Sequence, residues 1–227
     1  MNHRNLPYAG VMLLIASLMG GCQLVAWVVA VFQPPQKVNA VYEPPQGKRY
    51  LVFVDDRQPV PYEPIKFELA DLVSKGLVEH GIARSTVPYE LVQDLSMTPG
   101  FQSMPISEVG RRLGAEVVLY VQIDKLIMKD NPMSPLWQGR FETSVWVVDA
   151  EASPIDARLW PKDRPRGIGH PVPPVELKPQ ENPSATYGQE VASKLAQGMS
   201  TNILRLFHKH EVSPDEGREK ELEYIAD

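Results

Sequence analysis

Hydrophobic positions repeat with two periods along this chain, and the switches between them lay out its elements. Arg49-Tyr-Leu-Val-Phe-Val-Asp55 is a short β-branched and aromatic run between polar residues, which predicts a buried strand. Glu63-Pro64 then opens a helix, proline suiting a first turn. Ile65, Leu69, Leu72, Gly76 and Leu77 share its inner face, and Gly81 stops it. Ile82 to Val87 reads as a short strand. Pro88 to Leu95 reads as a short helix broken at Pro99-Gly100, and Ser107 to Leu113 as another, ended by Gly114.

Two longer strands follow. Ala115 to Ile127 places Val117, Leu119, Val121 and Ile123 on one face, while the other turns polar at Gln122 and Asp124. Arg140 to Asp149 places Phe141, Val145 and Val147 on one face, with Trp146 and Val148 on the other. Together they predict an antiparallel hairpin, and Ala157 to Trp160 a third, short strand. Asn182-Pro183 then caps the strongest helical pattern in the chain: Tyr187, Val191, Leu195, Met199, Ile203 and Phe207 fall one turn apart. The order β-α-β-α-α-β-β-β-α predicts an α+β, α/β-like domain. It has a small mixed sheet of about 4–5 strands, helices packed on it and a long C-terminal amphipathic helix.

Prolines mark the boundaries. There are 22 in 227 residues, against a usual share of about 5%. Residues 33–48, QPPQKVNAVYEPPQGK, read as an extended spacer of about 50 Å. Seven more prolines fall within 161–183, an extended excursion from an otherwise single domain at 49–210.

The N-terminus decides where the domain works. Arg4 precedes an apolar run, Val11 to Met19, and Gly20-Gly21 stands directly before Cys22, the only cysteine. That is the order of a secretory signal. "LMGGC" resembles a lipobox, so residues 1–21 read as a lipoprotein signal peptide and Cys22 as the lipidated first residue of the mature chain, 22–48 serving as anchor and spacer. The usual leucine three before the cysteine is replaced by Met19. A second reading stays open, because Leu24 to Phe32 is also apolar. Val11 to Phe32 as an uncleaved helix is about 33 Å long, enough to span a bilayer. Both readings put the domain outside the cytoplasm, on the cell membrane or the outer membrane, facing the periplasm.

The formal charge of −5 resides in residues 211–227, where seven acids face Arg218 and Lys220. The body is neutral and has no basic stripe, which argues against nucleic acid as a partner. Candidate chemistry is sparse. Asp55-Asp56 ends a strand where α/β folds place ligands, yet no Gly-rich loop follows. His208-Lys-His210, with His80 and His170 far away in sequence, lacks zinc-ligand spacing. No GxSxG elbow supplies a nucleophilic serine. Trp137, Trp146 and Trp160 fall on or beside the hairpin, as core packing or as an aromatic patch for a protein or glycan. No catalytic residue, cofactor or metal ligand is therefore expected.

The stretch "VGRRLGAEVVLYVQI" (109–123) runs a helix ending in Leu-Gly-Ala-Glu into a Val-rich strand, and the next strand ends in Val-Val-Asp. This resembles the periplasmic lipoproteins related to the curli secretion protein and the penicillin-binding-protein activator. Their α/β domain is similar to the N-terminal domain of the Tol-system β-propeller protein. The resemblance covers about residues 49–160 and implies an envelope lipoprotein. No amphipathic pair long enough for pore-forming hairpins is visible, and no propeller repeats follow. The expectation is a membrane-anchored, non-catalytic accessory module with an unidentified envelope protein partner. The alternatives are a subunit of a secretion or transport complex, or a hydrolase using Asp55 and Asp56.

Overall fold

The computed structural model describes residues 36–56, 59–129, 136–181 and 187–212. Cys22 and the whole apolar leader lie outside the described residues, as do Asn182-Pro183 and the tail beyond residue 212. The described residues fall into two units, Asn39–His210 and a second that holds residues 36–38 and 211–212. Strand β1 (Gln36–Val38) pairs with β9 (His210–Val212), whose last two residues belong to the second unit, and Lys37 meets Glu211 at 3.6 Å. The larger unit takes in residues 39–48 of the Pro-rich spacer. Tyr42 stacks on Trp160 at 5.3 Å, and the Pro45 carbonyl accepts the Tyr50 hydroxyl.

The larger unit is an α+β domain built on a seven-stranded mixed sheet. Strands β2 (Lys48–Asp56), β3 (Ala83–Thr86), β4 (Val117–Ile127), β5 (Leu136–Asp149) and β6 (Arg158–Trp160) lie in the order β3-β2-β4-β5-β6. Pairing of β2 with β3 and with β4 is parallel, and β4 with β5 antiparallel, as the hairpin pattern predicts.

The sheet has more strands than its sequence pattern suggests because the Pro-rich excursion returns to it. Beyond β6 along the outer edge of β5 run β7 (His170–Pro171) and β8 (Val175–Glu181), all three antiparallel to β5. Proline cannot donate to a ladder on both sides, so a Pro-rich segment suits a sheet only at its edge. The excursion meets that condition.

Helix α1 (Pro64–Glu79) connects β2 to β3 on one face of the sheet. Gly81, at φ +69°, closes its C-terminus, and the Ile82 amide reaches back to the Leu77 carbonyl. Helices α2 (Glu90–Ser96) and α3 (Ile106–Arg112) connect β3 to β4 across the other face. Helix α4 (Tyr187–Arg205) returns to the α1 side. The core on that side holds Tyr50, Val52 and Val54 of β2 with Leu119, Val121, Phe141 and Val145. Against them sit Leu69, Leu195, Met199 and Ile203, none exposed by even 1%. The opposite core, of Leu51, Phe53, Val92, Val109, Val118 and Trp146, is smaller.

One irregularity changes the alternation. The β4–β5 register shifts between Ile123 and Lys125. Odd-numbered residues of β4 face α1 and α4 up to Ile123; beyond Asp124, even-numbered Leu126 and Met128 do. An extra residue in one strand has this effect, since side chains alternate with period two. Asp124 is left on the second face, where its carboxylate accepts from Gln122 Nε2 at 2.7 Å and Ser144 Oγ at 2.6 Å.

Candidate functional site

The crossovers leaving β2 and β3 lie on opposite faces, so the carboxyl ends of these two neighbouring strands flank a switch point. Open α/β sheets take their ligands at such a point. Asp55 and Asp56 stand there, and Gln122 lies across the β2–β4 ladder from Asp55. A cleft of about 470 Å³ opens beside them, lined by Phe53, Asp55, Phe67, Tyr89 and Phe101. Phe53 meets Phe101 edge-on at 6.0 Å, and Phe67 meets Tyr89 at 6.1 Å.

Both carboxylates are committed to protein donors. Asp55 accepts the Asp56 amide at 2.9 Å and the Tyr120 hydroxyl at 3.1 Å, one on each oxygen. Asp56 accepts the Val60 amide at 3.3 Å and pairs with Lys66 at 2.9 Å. Lys66 also pairs with Glu63 at 2.8 Å. Burial pulls the Lys66 pKa down, but its hydrogen bonds to Glu63 and Asp56 outweigh this and hold it above its ordinary value. Lys66 is thus an ion-pair partner and supplies no base. The Tyr89 hydroxyl donates to the Val54 carbonyl at 3.0 Å, and burial pushes its pKa up to about 12. Among the described residues, no three His, Cys, Asp or Glu side chains are arranged to hold a metal ion.

A second, wider cleft of about 740 Å³ lies on the same face over β4 and β5. Its floor is Tyr120, Gln122, Trp146 and Val148, and one wall is the start of α3 with Ile106 and Ser107. The other wall is the loop following β5 and β6, with Ile155, Arg158, Lys162 and Arg166. An aromatic row crosses the sheet between the two clefts. Phe53, Tyr120 and Trp146 are cross-strand neighbours in register, at 5.4 and 5.1 Å. The sequence carries one hint of this cleft, the polar turn at Gln122 and Asp124. The basic wall left no trace, because its residues come from a loop without periodicity.

The three tryptophans do not form one patch. Trp146 is on the second face at 6% exposure, Trp160 belongs to the core under α1 and α4, and Trp137 packs against Gly188 of α4. The histidines, by contrast, come closer than their spacing suggests. His80 stacks on His208 with ring centroids 3.8 Å apart, and His208 meets His210 at 6.0 Å.

These features define a class: a three-layered α+β domain with one closed sheet face and one face carrying two open clefts. No protein-family model matches the chain, and no curated protein sequence matches it. Among solved structures it is similar to the PelC dodecamer from Paraburkholderia phytofirmans, at 11% identity. That alignment covers 78% of this chain and 99% of the other, with a TM-score of 0.40. It is similar also to lipoprotein GNA1162 from Neisseria meningitidis, at 12% identity, covering 67% of this chain and 98% of the other, with a TM-score of 0.39. Lipoprotein B from Nitrosomonas europaea is 11% identical over 76% of this chain and 89% of its own, with a TM-score of 0.33. Bacterial lipoproteins are thus among the neighbours, and none of these three is named for curli secretion or penicillin-binding-protein activation. With so little overlap in fold and sequence, the likeness carries no argument about what this chain does.

Proposed function

We propose that the protein is a membrane-anchored, non-catalytic lipoprotein of the bacterial cell envelope that binds another component of an envelope assembly. One observation carries the binding role: the wide cleft over Tyr120, Gln122 and Trp146 on the half-covered face of the sheet. A hydrolase built on Asp55 and Asp56 is the competing class. Against it stands the commitment of all four carboxylate oxygens to amides, Tyr120 and Lys66, which leaves neither acid directed at a reacting group. The anchor is supported by "LMGGC" and the apolar run around it.

The intact mass of membrane-extracted protein tests the anchor. A lipidated chain starts at Cys22 and needs detergent for extraction, because its acyl chains bury CH₂ groups at ~0.8 kcal/mol each. Cys22→Ser blocks acylation and leaves the leader attached, without full release from the membrane, since residues 11–32 are still apolar. A protein that begins at Met1 with a free thiol would establish the spanning helix instead. Crosslinking in intact envelopes, followed by capture, tests the partner; recovery of nothing above background counts against a binding role. Light scattering separates a monomeric module from a ring-forming subunit of a transport complex.

A further inference from the structure

The second cleft has a sign and a shape that specify its occupant. Arg158, Lys162 and Arg166 line it, against a single carboxylate, Asp156, which already accepts the Ser153 hydroxyl at 3.0 Å. Arg158 is occupied as a clamp: its guanidinium donates to the carbonyls of Pro165 and Arg164 at 2.9 and 2.5 Å, holding the loop. Lys162 and Arg166 are exposed, and neither takes part in an ion pair among the described residues. The wall therefore presents two cations that no carboxylate pairs among the described residues.

Two further observations mark the cleft as built for contact. Ser107, only 2% exposed, lines it with a buried hydroxyl that has no hydrogen-bond partner. A buried hydroxyl without a partner costs free energy, and an incoming donor or acceptor recovers it. Ile155 stands at the rim 68% exposed, and Ile168, next to the lining residue Gly167, is 50% exposed. Branched aliphatic side chains held out in this way offer apolar contact beside the cations.

We propose that this cleft docks an acidic peptide segment of a partner protein, which inserts one aliphatic or aromatic side chain between Ile155 and Tyr120 and sets its carboxylates against Lys162 and Arg166. A glycan fits less well, because sugars stack on open aromatic faces. Trp146 has none: it is 6% exposed, and a Cβ added at Gly169 would lie 2.8 Å from its ring. The proposal rests on the reading of the domain as a binding module, and is independent of how the chain is anchored.

The test is selection from a random-peptide display library on detergent-solubilised full-length protein. Enriched peptides should be net negative and carry a Leu, Ile, Val, Phe or Tyr. Lys162→Glu/Arg166→Glu, at two exposed positions, should weaken them about tenfold or more and select basic peptides instead. Ser107→Ala should also weaken the selected peptides while the protein remains folded. Enrichment of neutral or basic peptides on the wild type, or equal binding by the charge-reversed protein, overturns the proposal. So does no enrichment at all. Short-chain phosphatidylglycerol that shifts the Tyr120 and Trp146 resonances, with no acidic peptide enriched, would reassign the cleft to a lipid headgroup. Failure of the selection alongside a crosslinked envelope partner would strike the cleft alone and leave the module intact.

Discussion

On one face of the sheet, α1 and α4 have 16 and 19 residues, which is about 24 and 28 Å of helix. On the other, α2 and α3 have seven residues each, about 10 Å apiece. The 11 residues of β4 extend for about 36 Å, so each long helix matches most of that length and each short one less than a third of it. The chemistry of the two faces follows that difference. Under α4, the one buried polar side chain of β5 is Thr143, whose hydroxyl donates to Met199 Sδ at 3.1 Å. Beyond the reach of α3, the face carries Gln122, Asp124, Ser144 and the larger cleft. Helix length therefore sets which half of this sheet is core and which half is free to bind.

Substitution tests that contrast most strongly at its extremes. Phe141→Ala on the closed face should cost about 3–5 kcal/mol in denaturant unfolding, through lost burial and the cavity left behind. Ile155→Ala at the cleft rim should change stability by less than ~0.5 kcal/mol. Comparable losses at the two sites would mean that the faces are equally packed.

Gly110 probes where the half-covered face is nevertheless tight. A Cβ there would meet Val118 Cγ2 at 2.4 Å and Ala150 Cβ at 3.0 Å. Val118 is β-branched on a strand and yields little. Gly110→Val should cost about 1–3 kcal/mol, read from the shift in denaturant midpoint at constant m-value. A neutral substitution would show that α3 lies on the sheet without close packing.

Ser107→Ala should go the other way. Removing a buried hydroxyl that has no partner should stabilise the free protein by about 1 kcal/mol, seen as a higher Tm. A loss of stability would mean that the hydroxyl is satisfied, which weakens the case for the cleft beside it.

The smallest effect concerns pH. Burial first, and then the neighbouring Arg164, lowers the His170 pKa, while Asp163 opposes them. Burial first, and then the stacked His208, lowers that of His80, with Glu79 opposing. Each ring binds its proton less readily folded than unfolded, so the unfolded chain takes up more protons as pH falls. The stability these rings contribute is complete above the unfolded value of 6.5 and is lost as pH falls below it, through the lower folded values. His80→Gln/His170→Gln should flatten that part of the acid limb in a stability–pH profile. An unchanged slope would assign it to carboxylates.

The strands and helices that form the closed face are legible in local pattern. Val117, Leu119, Val121 and Ile123 announce their face by alternation, and α4 announces its own through Val191, Leu195, Met199 and Ile203. The bulge at Asp124 is less legible, because one extra residue shifts the period without changing composition. His80 and His208 gave no joint signal either, being 128 positions apart (208 − 80) and brought together only where α1 and α4 end on the same side.

By itself the sequence determined the elements of the closed face, the two-faced strands and the neutral body, and it raised the question of the apolar run around Cys22. Each depends on residues within a few positions of one another, and so on periodicity and charge. Only the tertiary structure decided that β2 lies between β3 and β4, that the Pro-rich excursion edges the sheet as β7 and β8, and that a basic loop stands over Tyr120 and Trp146. Those are matters of which distant segments share a ladder or a cavity. Backbone pairing uses the same N–H and C=O groups at every residue, so the choice among partners is made by packing of the whole domain.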